Sequence, residues 1–225
     1  MIKTWTSKAA VIFTLGIASM GMAFSVSAAD KVSDSKNEVP LAVTAQGQLP
    51  VTASTFTCIR DMTKVRGFYV DNLKGDLEGT LAVANSETGG VYPPGSVVQL
   101  VPGEVMVKHE VGYSPVTKDW EFFELDVSEE GSEIRKRGFA DVVNRFGGNC
   151  FACHIQAKPQ WDMVCEDTHG CETIPITKEV IDLIQRTDPR CSDNEELSAG
   201  ESYELFKLKL KVGVGSAIGT VKEMM

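Results

Sequence analysis

The sequence lacks a long apolar run beyond its N-terminal region, and it lacks any excess of basic residues. The longest apolar stretch, residues 9–24, is shorter than the roughly 20 residues that a bilayer crossing needs, and no later segment is comparable. Lys and Arg number 22 against 31 Asp and Glu. This acidity argues against nucleic acid and anionic membranes as partners, and it favours a small ligand or a basic redox partner protein.

Residues 1–29 have the layout of a cleaved secretory signal peptide. Lys3 and Lys8 supply a short positive region, the apolar stretch follows, and Val26-Ser27-Ala28 provides small residues at the cleavage spacing. A retained membrane anchor is the alternative. Cleavage would remove both lysines and leave a net charge of about −11. We therefore expect a periplasmic or extracellular protein, most simply periplasmic, with no membrane span after signal cleavage.

Composition and periodicity divide the rest of the chain into three parts. Residues 30–55 are typical of a flexible lead-in, 56–192 of a folded domain and 193–225 of a C-terminal extension. The domain is predicted to be α+β, with an antiparallel sheet of about five strands, flanking helices, and one functional helix near its C-terminal part. Strands are predicted at Val65–Val70, Ser96–Val101, Glu104–Glu110 and Trp120–Val127, and helices at Leu73–Asn85, Phe139–Phe146, from Asn149, and at Lys178–Arg186.

The aromatic strand from Trp120 predicts that both faces of the sheet are covered. Trp120 and Phe122 share one face, whereas Phe123 and Leu125 share the other. From Ser132 onward the pattern is typical of helix. We therefore expect the sheet to end before Ser132.

Histidine is scarce, and one of the three histidines directly follows a C-x-x-C pair. Cys150, Cys153 and His154 form the C-x-x-C-H signature of c-type haem attachment. Two thiols on one helical turn can each form a thioether with a haem vinyl group, and the adjacent imidazole can ligate the iron. A thioredoxin-like redox pair needs a βαβ context, and a zinc site needs a second ligand pair. We therefore expect one covalently attached haem.

The other four cysteines predict two disulfides in an exported chain. They are Cys58, Cys165, Cys171 and Cys191. Three pairings are possible, and the sequence leaves the choice open. We favour Cys165 with Cys171 and Cys58 with Cys191, since the second bridge would tie the front of the domain to its back.

The ligand on the other side of the iron decides between electron transfer and the binding of small molecules. His109, His169, Met62, Met106 and Met163 are the candidates for a sixth ligand. Each is expected to be a structural or surface residue instead. An open sixth position would allow gas binding or chemistry.

Several stretches in a fixed order resemble the cytochrome P-460 family, which includes the cytochromes c′-beta. The C-x-x-C-H motif follows a β-meander with an aromatic strand, and the resembling stretches are Tyr92–Val98, Val105–Lys108, Asp119–Phe123 and Asp162–Val164. The resemblance implies an antiparallel sheet with flanking helices, often dimeric, and a five-coordinate haem. Cytochromes P-460 oxidise hydroxylamine with the help of a lysine cross-linked to the haem, whereas cytochromes c′-beta have distal phenylalanines and bind nitric oxide.

The family's lysine falls on one of two positions here. One register, through Tyr92–Val98, places it at Leu100, which cannot cross-link; the other places it at Lys108. We prefer the first register, in which Lys108 is an ordinary strand residue. Cys165 also departs from the family, which has phenylalanine there.

Four residues of the aromatic strand are further candidates near the iron. Phe122 and Phe123 could line a distal pocket but are expected to pack in the sheet, and Glu121 and Glu124 could accept protons but are expected on a solvated face. The sequence thus predicts a mono-haem c-type cytochrome with an open distal site that binds or converts a small nitrogen oxide. The alternatives are a hydroxylamine oxidoreductase with a cross-linked Lys108 and a pure electron carrier.

Overall fold

Six strands form one antiparallel sheet in the order in which they occur along the chain. The computed structural model describes residues 47–174, 176–193 and 196–210. The α+β class is confirmed, with one strand more than the expected five or so. The strands are β1 (Thr63–Val65), β2 (Phe68–Asn72), β3 (Ser96–Val101), β4 (Glu104–Lys108), β5 (Trp120–Ser128) and β6 (Gly131–Gly138).

Three α-helices flank the sheet, and residues 199–210 are also helical. Helix α1 (Leu77–Ala84) starts later than predicted, because the Asp76 side chain accepts a hydrogen bond from Gly79 N and caps the helix there. Helix α2 (Cys150–His154) carries the C-x-x-C-H motif, and α3 (Lys178–Arg186) has its predicted bounds. Short 3₁₀ helices lie at Ala53–Thr55, Ile59–Asp61, Pro115–Thr117 and Pro159–Trp161.

The predicted strand Val65–Val70 is a hairpin instead of one strand. Arg66 has a φ of 52°, in the left-handed region, and with Gly67 it turns the chain between β1 and β2. The prediction missed this turn because arginine is not a usual residue for a positive φ. The strand signal was correct, but the chain reverses within it.

The helical prediction from Ser132 onward was wrong. Strand β6 pairs with β5 from Ser128 opposite Gly131 to Phe122 opposite Gly138. Arg137 lies on this strand and forms two hydrogen bonds with Glu121 of β5. Cross-strand charge pairs of this kind stabilise a strand that carries few apolar residues, and such a strand has a weak hydrophobic period.

The predicted helix Phe139–Phe146 is irregular in the structure. Val143 forms an isolated antiparallel bridge with Asn149, and the Asn144 side chain accepts hydrogen bonds from Phe146 N and Gly148 N. These bonds build a local turn that competes with helix formation. A turn, and not a helix, therefore leads into α2.

Two apolar cores cover the two faces of the sheet, as the aromatic strand predicted. Trp120 and Phe122 belong to the core on the side of α2, and Cys150 and Phe151 pack against that core. The opposite core contains Phe123 and Leu125. We refer to these as the α2 face and the far face.

The far face is covered by a segment that was assigned to the flexible lead-in. Leu49 and Val51 are buried in the core of the far face together with Phe56. The predicted boundary at residue 55 is therefore too late, since order begins before it. The predicted signal peptide and the lead-in up to residue 46 lie outside the described residues.

Two disulfides cross-link the domain, and their pairing is the one that the sequence analysis favoured. Cys58 pairs with Cys191 across 133 residues, and Cys165 pairs with Cys171 across six. The first bridge joins the beginning and the end of the domain.

None of the helices in the described residues has the length and apolar character that a membrane crossing requires.

Candidate haem-attachment site

Helix α2 is one short turn whose start is fixed by Asn149, as predicted. The Asn149 side chain accepts a hydrogen bond of 2.8 Å from Ala152 N, and its amide nitrogen donates to Ala140 O at 2.7 Å. A residue at position i lies on the same side of a helix as the residue at i+3. Cys150 and Cys153 thus lie one turn apart on one side of α2, and His154 follows them.

Cys150 and Cys153 are the two free thiols of the chain, because the other four cysteines are paired. Both are half-buried. Burial, with the nearby charges of Glu104 and Glu124, raises the pKa of the Cys150 thiol to about 12, and burial also raises the pKa of Cys153.

The chemistry of the donor set argues against zinc and fits a haem. No group of three or more His, Cys, Asp or Glu side chains in the described ranges is arranged to hold a metal ion. Four such ligands are the rule for a structural zinc site. Covalent haem attachment needs two free thiols on one turn and one imidazole, which α2 supplies.

The ring of His154 is held in one orientation by a backbone carbonyl. Its Nδ1 lies 2.7 Å from Met163 O, and a carbonyl can only accept, so Nδ1 carries the proton. Nε2 then presents a lone pair, and it has no hydrogen bond with any of the residues described. Burial lowers the pKa of His154, which keeps the imidazole neutral. Iron-ligating histidines have this tautomer and this kind of partner.

Lys108 is buried and ion-paired, which differs from the ordinary strand lysine that we expected. Its side chain is 5 % exposed, and Nζ donates to Asp162 Oδ2 at 2.7 Å. The ammonium lies 5.1 Å from the centre of the Trp120 ring. Burial lowers the pKa of Lys108, and the carboxylate of Asp162 opposes this shift. The amine is therefore already engaged.

Both remaining histidines are engaged structurally in this arrangement. His109 is fully buried; Nδ1 accepts from Leu49 N and Nε2 lies 2.8 Å from Glu121 Oε2. His169 stacks on Trp161 with 3.8 Å between ring centres, and its Nδ1 donates to Val164 O.

The methionine candidates divide between the two faces of the sheet. Met62 packs against the core of the far face. Met106 and Met163 are buried in the core of the α2 face, and Cys150 packs against this core. Both Met106 and Met163 therefore lie on the same face of the sheet as the attachment motif. Only the backbone of Met163 is hydrogen-bonded to His154.

Glu121 and Glu124 are both buried, so the expectation of a solvated face was wrong. Glu121 receives two hydrogen bonds from Arg137 and pairs with His109; burial alone would raise its pKa, but these bonds lower it. Glu124 is 1 % exposed, and burial raises its pKa despite Arg135 and Arg145 nearby.

Glu104 and Glu124 form a carboxylate pair near Cys150. The two residues are directly opposite each other on β4 and β5. Burial, with the charge of Glu124, raises the pKa of Glu104 to about 7, and Asn144 opposes the shift with a hydrogen bond. The sequence analysis missed Glu104, because a charged residue at the start of a strand carries no signal of burial.

The two phenylalanines lie on opposite faces. The Phe122 ring is 5.2 Å from the His154 ring, whereas Phe123 packs on Phe56 in the core of the far face. Phe123 is thus separated from the attachment motif by the sheet. Phe122 contacts the proposed iron ligand itself.

Asp162, to which the sequence analysis gave no role of its own, connects Lys108 and Trp120 to the carbonyl that holds His154. Asp162 binds Lys108, accepts from Trp120 Nε1 through its backbone carbonyl, and precedes Met163, whose carbonyl holds His154. The stretch Asp162–Val164 was noted only as a family-like one.

A comparison with protein-family models, with curated proteins and with solved structures found no match. The resemblance to cytochromes P-460 therefore stays a prediction.

Proposed function

We propose that this chain is an exported mono-haem c-type cytochrome with an open sixth iron position, which binds or converts a small nitrogen oxide or a similar diatomic molecule. One observation carries the proposal. The two free thiols lie one turn apart beside an imidazole whose Nδ1 is held by Met163 O at 2.7 Å. This leaves Nε2 as the coordinating atom.

Each residue of the motif has a distinct role in this proposal. Cys150 and Cys153 would hold the haem through thioethers, and His154 would ligate its iron. When bound, the haem supplies one-electron chemistry and a coordination site for a small ligand. Phe122 packs on the His154 ring and limits its rotation. The core of the α2 face provides apolar surroundings that exclude water.

The two disulfides support export. Disulfides persist in oxidising compartments and are rare in the cytosol. Cys58–Cys191 and Cys165–Cys171 are both at bonding distance. Haem attachment through thiols also takes place after export, which agrees with the predicted signal peptide.

The contacts of the two histidine candidates support the proposed open sixth position. Both nitrogens of His109 are engaged on the far side of β5, and His169 is stacked and bonded through Nδ1. The electron-carrier alternative is supported by Met106, which is buried in the core against which Cys150 packs. The hydroxylamine oxidoreductase alternative is disfavoured, because Lys108 would have to leave Asp162 to form a cross-link.

An optical titration of the dithionite-reduced, haem-loaded protein tests the open site. We expect high-spin ferrous bands that change when nitric oxide or carbon monoxide is added. A low-spin spectrum indifferent to carbon monoxide would support electron transfer, and a strongly red-shifted ferrous Soret band would support the cross-linked oxidoreductase.

A pair of methionine variants makes this test specific. Met106→Leu should leave the high-spin spectrum unchanged if the position is open, but should convert a low-spin spectrum to a high-spin one if Met106 is the ligand. Met62→Leu is the matched control, because Met62 packs on the far face and should change neither spectrum.

A further inference from the structure

We propose that Lys108 and Asp162 are positioning residues for the iron ligand: together they fix the Met163 carbonyl, which fixes the His154 ring. The inference rests on the proposed role of His154 as the haem ligand. It concerns the orientation and electron-donating strength of the ligand, and it assigns a task to the buried ion pair.

The first argument is the backbone conformation at this point. Asp162 has a φ of 49° and Met163 a φ of 68°, so two consecutive residues with side chains occupy the left-handed region. L-residues other than glycine rarely adopt it, and such outliers persist only where surrounding contacts over-determine them. The outliers lie directly at the carbonyl that accepts the His154 proton.

The second argument is the set of contacts that over-determines Asp162. Its Oδ2 accepts from Lys108 Nζ at 2.7 Å and from Tyr92 N at 2.9 Å, while its backbone carbonyl accepts from Trp120 Nε1 at 2.8 Å. Side chain and backbone of Asp162 are thus held at the same time. This limits the directions in which the next carbonyl along the chain, Met163 O, can point.

The third argument is the rigidity of what holds Asp162. Lys108 and Trp120 are direct neighbours on β4 and β5, and the next pair on the same face is Met106 with Phe122. Phe122 contacts the His154 ring. Strands β4 and β5 therefore support the His154 ring through Phe122 and hold its hydrogen-bond partner in place through Asp162.

A buried ion pair adds little stability by itself. An apolar pair of similar volume usually stabilises a core as well or better, because no charge then loses its water. A requirement for one defined carbonyl position explains why lysine and aspartate occupy this part of the core. The same engagement leaves Lys108 unavailable as a haem cross-link.

Resonance Raman spectroscopy of the ferrous haem-loaded protein tests the proposal through the iron–histidine stretch. A hydrogen bond from Nδ1–H to a carbonyl raises the basicity of the ligand. We therefore expect Asp162→Asn and Lys108→Met to lower the stretching frequency and raise the midpoint potential. Lys108→Arg keeps the charge and should restore values close to those of the parent protein.

Two further variants separate positioning from loss of stability. Asp188→Asn disrupts another buried pair, Asp188 with Arg190, whose side chains are 0 % and 2 % exposed. It should destabilise the protein without changing the iron–histidine stretch. The double variant Lys108→Met with Asp162→Asn leaves no unpaired buried charge, so it should fold, and its stretching frequency should still be lowered.

A haem-free measurement distinguishes failure of this inference from failure of the proposed function. In the full chain with Cys150→Ala and Cys153→Ala, nitrogen NMR should detect a His154 Nδ1–H that is protected from exchange. Asp162→Asn should abolish the protection. If the folded Asp162→Asn variant kept this protection, the positioning role would be refuted, whether or not the parent protein carries haem.

Discussion

At the residue scale, the charge state of the Glu104 carboxylate depends on the fold near neutral pH. It is half-buried, opposite Glu124 on the neighbouring strand, and close to Cys150. Arg135 and Arg145 lie against Glu124, and Asn144 bonds Glu104. Loss of water on burial nevertheless dominates and raises the pKa of Glu104 from 4.5 to about 7.

This shift predicts a loss of stability as the pH rises. Between pH 4.5 and 7 the folded chain keeps the proton that the unfolded chain has released, so the free energy of unfolding falls with rising pH. Glu104→Gln should make this slope shallower by removing the contribution of Glu104, and it should stabilise the protein at pH 8 by about 1–3 kcal/mol. Urea unfolding at pH 5 and pH 8 measures the difference.

Glu133→Gln is the matched control, since Glu133 is an exposed carboxylate on strand β6 of the same sheet. It should keep the pH slope of the parent protein. An unchanged slope in Glu104→Gln would contradict the assignment of the shift to this buried carboxylate.

At the scale of elements, α2 depends on its cap, because a five-residue helix has few hydrogen bonds of its own. Asn149→Ala removes the bond to Ala152 N and should cost about 1 kcal/mol of stability. Since the cap orients the turn that presents both thiols, we also expect a lower yield of haem-loaded protein. Absorbance of the haem relative to the protein measures the yield.

Thr177→Ala provides the comparison for this variant. Thr177 caps α3 by accepting from Val180 N, and α3 carries no residue of the attachment motif. The stability loss should be similar but the haem yield unchanged. Equal yields for the two cap variants would show that presentation of the thiols does not depend on the cap of α2.

The elements with a strong hydrophobic period were predictable from the sequence. Strand β5 alternates buried side chains between the two cores, and α3 matches its predicted bounds. Strand β6 was missed because charge pairs to β5, such as Arg137 with Glu121, stabilise it instead of apolar contacts. The segment before α2 was misassigned because the Asn144 side chain builds a turn within a helix-like pattern.

The attachment motif was predictable because its residues are close together in the sequence. The contacts that position His154 were not predictable, because they join residues far apart in the sequence. Cys150, Cys153 and His154 lie within five residues. The contact between Lys108 and Asp162 spans 54 residues, and that between Trp120 and Asp162 spans 42. Partners at such separations depend on how β4 and β5 align and on where the chain turns after α2, which no local pattern specifies.

At the scale of the whole molecule, the two disulfides close loops of very different length. Removing the Cys58–Cys191 bridge by replacing both cysteines with serine should cost about 4–5 kcal/mol, because the open chain gains the entropy of a long loop. The same change at Cys165–Cys171 should cost about 2 kcal/mol. Thermal unfolding of the two double variants measures the difference, and equal losses would contradict the loop-closure account.

The disulfide variants should also differ at the haem site. Cys165 lies two residues after Met163, whose carbonyl holds His154, so loss of the short bridge should broaden the haem spectrum despite its smaller cost in stability. Loss of the long bridge should leave the spectrum of the folded protein unchanged. A haem spectrum that changed only after loss of the long bridge would contradict this prediction.

The central claim is that one haem is bound covalently through Cys150 and Cys153, and the mass of the intact protein tests it most directly. The chain should be purified from a host competent in cytochrome maturation, denatured in acid and weighed. We predict the mass of the polypeptide plus one haem, with the addition located on the peptide that contains both cysteines. A colourless protein with the mass of the polypeptide alone would contradict the account.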